Sequence, residues 1–403
     1  MTGFDAAAAT AHYLQLIDPA REARAIAYTH GSHWLILWGW IVYVATDLLI
    51  LRLGFLRLVR ERVERTRPRP NLAVFLCVTT YILVGSLLHL PWKIYADWVR
   101  ERSYGLTDEA FGGWFLQTAT SAVFTSVFIG LMAIPIYAII RRTGDRWWAW
   151  SGLVVAVGAF MTLVVAPVVL TPLFNETRQA PAGPVRAAIE DLARAAGVPS
   201  DRIVVIDGSK QSNRYSATVV GAAGFASIQL SDTMLKGDVD VSQVKAVVGH
   251  EMGHYVHYHM VLLTLVVALL FTAALWVVHR SFVALSVRSR RRPLSINDPS
   301  GIPVMHIVFS TFMVLATPVI PTAQRWVELD ADAYGLDLAR EPDGAAKALV
   351  RTVDFRASSP GPIEEAIFYD HPGIAARVRG AIDWKAEHPA NGASAVRSDR
   401  GPR

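Results

Sequence analysis

Long uninterrupted apolar runs constrain this 403-residue chain more than any other feature. A helix needs about 20 mostly apolar residues to cross a hydrocarbon core about 30 Å thick. Six stretches qualify: 33–55, 72–96, 115–140, 147–169, 260–278 and 303–319, the last a shorter run bracketed by Pro303, Pro318 and Pro321. Trp34, Trp38, Trp40, Trp92, Trp98, Trp147, Trp148 and Trp150 gather near the ends of these runs. Amphipathic rings favour the headgroup level, so the tryptophans support the spans. With 52% hydrophobic and 18% charged residues, the chain is too apolar for an ordinary soluble domain.

The opening "MTGFDAAAATAHYLQLIDPA" lacks a basic n-region and a continuous apolar core, so no cleavable signal peptide is expected there. Cys77 is the single cysteine and lies inside the second run, which excludes an intramolecular disulfide and thiolate metal sites. The net charge of +5 sits mainly in loops: "RLVRERVERTRPRP" at 57–70, "RRTGDR" at 141–146 and "RSRRRP" at 288–293. That placement bears on membrane topology and not on nucleic acid, which is not expected as a partner. Arginine outnumbers lysine and alanine is abundant, a composition that matches a GC-rich bacterial genome and a bacterial plasma membrane.

The expected organisation is an amino-terminal segment at 1–32, a four-span region at 33–174 and a soluble part at 175–259. The fifth and sixth spans follow at 260–320, then carboxy-terminal helices at 321–385 and a disordered tail at 386–403. Within the soluble part, Val185, Ile189, Leu192 and Ala196 recur at helical spacing over 184–196, with Gly197 as a stop. "DRIVVID" at 201–207 reads as a strand, and "YSATVV" and "FASIQL" flank "GAAG" at 221–224 as a hairpin. Asp240 followed by Gln243 resembles a helix cap, and nothing from 241 to 278 breaks the helical pattern. One continuous helix is therefore predicted there, with another at 324–339. The fold class is a predominantly helical multispan membrane protein with a small α+β domain.

The chemistry concentrates in "HEMGHYVHYH", 250–259, which holds an H-E-x-x-H. Residues four apart share one helix face, so His250 and His254 can converge on a single cation. Glu251 then stands beside the metal and can move a proton between attacking water and leaving amine. The metzincin pattern would need histidine at Met260 and is excluded. His257 lies one turn beyond the pair and is read as lining a polar cavity or the bilayer edge. A catalytic Zn²⁺ takes three protein ligands. Glu328 on the 324–339 helix is the third candidate, with Asp332 on the same face to hold a ligand histidine by its free N–H. Alternatively, "ELDAD" is only a solvated acidic face.

Taken in order, "VIDGSK" (205–210), "AVVGHEMGHY" (246–255) with His259, "ELDADAYG" (328–335) and "HPGIAAR" (371–377) resemble the type I CAAX prenyl proteases. "LPWKIYADWVRERSYGLT" (90–107) and "APVVLTPLFNE" (166–176) extend the resemblance upstream. It implies a helical cage around a water-filled chamber, with His250, His254 and Glu328 as zinc ligands and Glu251 as base and acid. A chamber of that kind would explain His89, Gln117 and His306 within the apolar runs. The resemblance also implies catalytic roles for Asp332, behind the metal, and for His371, at the transition-state oxyanion. Arg377 would brace that segment and join the substrate contacts. Pro372 by itself fits the first position of a helix. Where the family carries an Asn-Ala pair that helps hold extended substrate, this chain has Ser216-Ala217. Eukaryotic relatives have a further amino-terminal span, for which residues 1–31 are too polar.

The expected activity is peptide-bond hydrolysis by a zinc endopeptidase acting on a membrane-associated, exported or lipidated polypeptide. The alternatives are a zinc-stabilised scaffold, chaperone or transporter, and a site-2-type intramembrane protease. Metal binding alone does not require Glu251, and the histidines precede the apolar run. Loop charges place the metal site outside the cytoplasm; the resemblance implies the cytoplasmic face.

Overall fold

The computed structural model describes residues 4–222, 225–288 and 295–389. The predicted tail therefore lies almost wholly outside the described residues, as does most of the third basic loop. Helix α1 (Ala6–Gln15) starts on Asp5, whose carboxylate accepts from Ala7 and Ala8 N–H. Helix α2 (Pro19–Leu53) starts on Asp18 with proline at its first position. The run predicted at 33–55 is thus the second half of a longer helix, stopped by Gly54 in the left-handed region, φ 70°.

After the short basic helix α3 (Phe55–Glu64), α4 (Pro70–Lys93) carries Pro91 near its end. Proline supplies no N–H to the helix ladder, and the backbone widens into a π turn at Ile94–Val99 before α5 (Arg100–Ser103). Helices α6 (Phe111–Thr143) and α7 (Trp147–Phe174) form a hairpin across the turn Gly144–Arg146, with Met132 lying against Gly158.

A small α+β unit follows: β1 (Thr177–Gln179), α8 (Pro184–Ala196), β2 (Ile203–Ile206), β3 (Ala217–Ala222) and β4 (Phe225–Ser231). Strand order is β1-β2-β4-β3; β2 and β4 are parallel and the outer pairs antiparallel. The predicted hairpin is tighter than "GAAG" suggests: Gly221 pairs with Ala226 and Ala222 with Phe225. Residues 223–224 lie outside the described residues. Helix α8 spans the predicted 184–196.

Helix α9 (Val241–Val256) starts at Asp240, whose carboxylate accepts from Ser242 N–H at 3.0 Å and from the Gln243 amide at 3.2 Å. Helix α10 (His259–Arg288) follows. The single helix predicted over 241–278 is therefore corrected: His257 N–H closes α9 on Gly253, and Tyr258 takes φ 54°. A bulky residue in that region costs on the order of 1–3 kcal/mol. No glycine or proline announces such a break, and helical propensity is blind to it. The packing of α10 against α7 fixes its direction.

The chain ends with α11 (Ile302–Leu315), α12 (Val319–Ala339), α13 (Pro342–Arg351), α14 (Pro362–Phe368) and α15 (Ile374–Glu387). Pro372 precedes the last helix, whose cap is Gly373; its N–H donates to Glu365 at 2.9 Å, so the predicted first-position proline shifts outside.

The apolar helices close a ring: α2 on α4, α4 on α6, α6 on α7, α7 on α10, α10 on α11 and α11 back on α2. Among the described residues, four stretches are long and apolar enough to span a membrane, five if the bent pair α11–α12 counts as one. Six runs were predicted; the difference arises because Phe111–Met161 counts once although it folds back as α6 and α7. Only 22–28% of each spanning window is buried in the protein, leaving apolar side chains for lipid.

Within the ring, Asp47 accepts from Tyr81 at 2.7 Å and faces His306 Nδ1 at 2.6 Å, tying α2, α4 and α11 together. His89 meets Tyr43 edge-on, and Gln117 donates to Glu109 at 2.8 Å. Arg60 pairs with Asp298, Arg141 donates to Asn71, and Trp147 donates to His279. These contacts put the described basic segments at the Arg288 end of α10. The His259 end, about 45 Å away for a 30-residue helix, carries the α+β unit, with α1 packed on α15.

Candidate active site

Helix α9 has two faces set by its sequence. Val244, Val248 and Met252 recur every four residues and are fully buried against Ile189, Ile203, Ile228 and Leu230. Each such burial is worth about 1.5–3 kcal/mol, which anchors the helix beneath the sheet. His250 and His254 lie on another face, and α12 crosses there at backbone contact. A methyl on Gly335 would sit 2.7 Å from His250 N and 2.9 Å from its Cα; one on Gly253 would sit 3.1 Å from Ala331 Cα. Only glycine lets the helices approach this far.

That approach delivers Glu328 to the histidines. His250 Nε2 and His254 Nε2 are 3.1 Å apart, and they lie 3.3 and 3.4 Å from the Glu328 carboxylate oxygens. A tetrahedral ion with bonds of about 2.0–2.1 Å holds its ligand atoms about 3.3 Å from one another. Glu328 Oε2 is buried without a hydrogen bond, and the two ring nitrogens point at one another, so the donor set fits a cation. Gly335→Ala would push α12 outward with every ligand intact. The expected result, read by metal titration of the purified protein, is metal affinity lowered by about 10–100-fold, the scale of lost ligand support.

Asp332 lies 2.9 Å from His250 Nδ1, in ion-pair contact though off the line of an ideal hydrogen bond. Arg377 donates to both Asp332 oxygens, Nε at 2.7 Å and Nη2 at 2.6 Å, and its Nη2 is 3.5 Å from Glu328. Grouped at the sequence level with substrate contacts, Arg377 is nearly buried and braces two carboxylates. Burial alone would lower the His250 pKa; the facing Asp332 and Glu328 outweigh it and raise it to about 10. A metal ion entering here therefore displaces a proton.

Glu251 makes no hydrogen bond or ion pair among the described residues. Burial pushes its carboxyl above the ordinary range, against the pull of His250 and His254. It is placed to gain and lose a proton beside a bound cation.

His371 faces two carboxylates, with Nε2 3.1 Å from Glu328 and Nδ1 2.8 Å from Asp370, which Arg356 contacts at 3.1 Å. Arg325, one turn before Glu328, donates to the carbonyls of Glu365 at 2.6 Å and Tyr369 at 2.5 Å. It ties the His371 segment to the helix bearing Glu328. Arg325, Asp370 and Arg356 were not legible as site residues; only the spacing of Arg325 from Glu328 hinted at it. Ser216 accepts from Ser231 N–H at 3.0 Å through its carbonyl, and Ala217 opens β3, the sheet edge packed on α9. Neither side chain is part of the ligand triangle.

A profile of peptidase family M48 matches residues 179–385. A second profile, "CAAX prenyl protease N-terminal, five membrane helices", matches residues 7–176, which here hold α2, α4, α6 and α7. The uncharacterised metalloprotease YhfN of Bacillus subtilis is 24% identical over 377 residues, covering 91% of this chain and 86% of its own. CAAX prenyl protease 1 of Saccharomyces cerevisiae is 27% identical over 335 residues, covering 76% and 71%. The fold is similar to that of S. mikatae Ste24p, with a TM-score of 0.74 at 20% identity over 91% of this chain and 89% of that one. The ring of apolar helices, the sheet unit and the facing α9 and α12 thus have a known counterpart. The chain belongs to peptidase family M48 and is a multi-pass membrane metallopeptidase.

Proposed function

We propose that this metallopeptidase is a zinc endopeptidase in which His250, His254 and Glu328 hold the ion, Glu251 moves protons and His371 donates to the oxyanion. The ligand triangle, with edges of 3.1, 3.3 and 3.4 Å, carries this reading. Two imidazoles and one carboxylate with a side open to substrate are the donor set of a catalytic zinc. When bound, the ion would polarise the scissile carbonyl and bring the pKa of water toward about 7. Glu251 takes the proton of the attacking water and passes it to the departing amine. Asp332 orients His250 through Nδ1, and Arg377 holds Asp332 in turn. His371, fixed by Asp370, donates from Nε2 to the oxygen that gains charge.

Substrate enters as an extended chain along β3, pairing backbone to backbone, with Ser216 and Ala217 at the start of that edge. The catalytic part comprises 175–259 and 321–385, and the membrane part 33–174 and 260–320. That arrangement, with several relatives named CAAX prenyl proteases, favours a membrane-associated, exported or lipidated polypeptide in a bacterial plasma membrane. The basic segments at the far end of the helices favour an extracytoplasmic metal centre; cytoplasmic signals from reporters fused at residue 174 and at the carboxy terminus would reverse that placement.

Full-length protein in detergent should carry one zinc per chain by mass spectrometry. Chelation should abolish peptide cleavage and zinc should restore it; cleavage that survives complete metal removal would sink the reading. His371→Ala should lower kcat about 10²–10³-fold, the cost of one lost oxyanion donor, with zinc content unchanged.

A further inference from the structure

The break between α9 and α10 builds a second cluster beside the first. Tyr258 at φ 54° separates His257, at the end of α9, from His259, the first residue of α10. Asp330 faces both from α12, two residues beyond Glu328. His257 Nδ1 is in close contact with Asp330 Oδ2, and His259 Nε2 lies 3.1 Å from the same oxygen. One ligand atom from each residue falls within 4.8 Å of the others. Asp330 has no lysine or arginine partner among the described residues; its ion pairs are these two histidines. Two imidazoles and a carboxylate suit zinc, copper or nickel and not calcium or magnesium. The exposed side, where His257 and Asp330 are about 40% accessible (39% and 43%), leaves room for water as a fourth ligand.

The two clusters share a proton path. His259 Nδ1 lies 3.0 Å from His254 Nδ1. A neutral imidazole has one N–H and one lone pair. If His254 binds metal through Nε2, its proton is on Nδ1 and points at His259 Nδ1, which must accept. The His259 proton is then on Nε2, aimed at Asp330. An ion on His259 Nε2 needs that lone pair, so the proton moves to Nδ1 and meets the His254 proton head-on.

We propose that His257, His259 and Asp330 form a second site for a divalent transition-metal ion, and that filling it opposes metal binding by His254 in the first. The coupling rests on reading His254 as a ligand; the second site does not. Full-length protein loaded with one zinc is titrated with zinc, with bound metal counted after gel filtration and peptide cleavage followed in parallel. The wild type should take up a second, weaker ion while cleavage falls in step with it. His257→Leu should hold one ion, match the one-zinc cleavage rate and lose the inhibition. Asp330→Asn should also weaken the second ion.

A difference of one ion between wild type and His257→Leu establishes the second site whatever the first one does. Equal counts in the two proteins overturn the site. A second ion bound with no fall in cleavage, or a first ion held as tightly in the two-zinc wild type as in His257→Leu, overturns the coupling. Failure to bind the first ion would instead refute the proposed catalytic centre.

Discussion

Glu328→Ala is expected to yield a folded membrane protein that loses its metal and its peptidase activity together. Glu328 provides the two oxygens that close the triangle on His250 and His254. It lies on α12, whereas both histidines lie on α9, so without it one helix alone faces the ion. Support groups behind a ligand already change metal affinity about 10–100-fold, and loss of a ligand should exceed that. Removal also takes from Arg377 and His371 the Glu328 oxygen that both face, leaving them Asp332 and Asp370 respectively. Combined with His257→Leu, which removes the second cluster, the variant should show no zinc by mass spectrometry after dialysis and cleavage at background, with thermal unfolding in detergent separating this from misfolding. Full zinc occupancy in that double variant would show that another residue closes the site.

Glu251→Gln is expected to separate metal binding from catalysis. The side chain keeps its shape and lies outside the ligand triangle, so zinc content should match the wild type. It can no longer take a proton, and general acid–base transfer is worth about 10²–10⁴-fold in rate. Cleavage should fall by at least that factor, in kcat more than in KM, since β3, the proposed substrate edge, is unchanged. A variant that cleaves normally while free of contaminating protease would refute the assigned role of Glu251.

How much of this was legible in the sequence depends on the range of the interaction. The H-E-x-x-H pair follows from helix geometry alone, because four residues bring two side chains onto one face. Glu328 and Asp332 share the same spacing on a second helix, and the structure places them at His250 Nε2 and Nδ1 respectively. The apolar runs gave the ring of helices, since lipid demands long internally bonded segments. Three features were beyond reach. Gly335 carries no local signal of its role, which is to let His250 press against it across the two helices. The Tyr258 turn defies local propensity, because tertiary packing holds it. Arg325 works through carbonyls 40 or more positions away, a contact that no local pattern encodes.

In the proposed centre, two imidazoles and one carboxylate hold a single catalytic ion. Zinc-edge X-ray absorption on the one-zinc, full-length protein reads those ligands directly. Two imidazole nitrogens with oxygen neighbours, all at about 2.0–2.2 Å and no sulfur, are the predicted shell. A shell with three imidazoles would contradict it and make His371, now 3.1 Å from Glu328, or His259 a ligand in the place of that carboxylate.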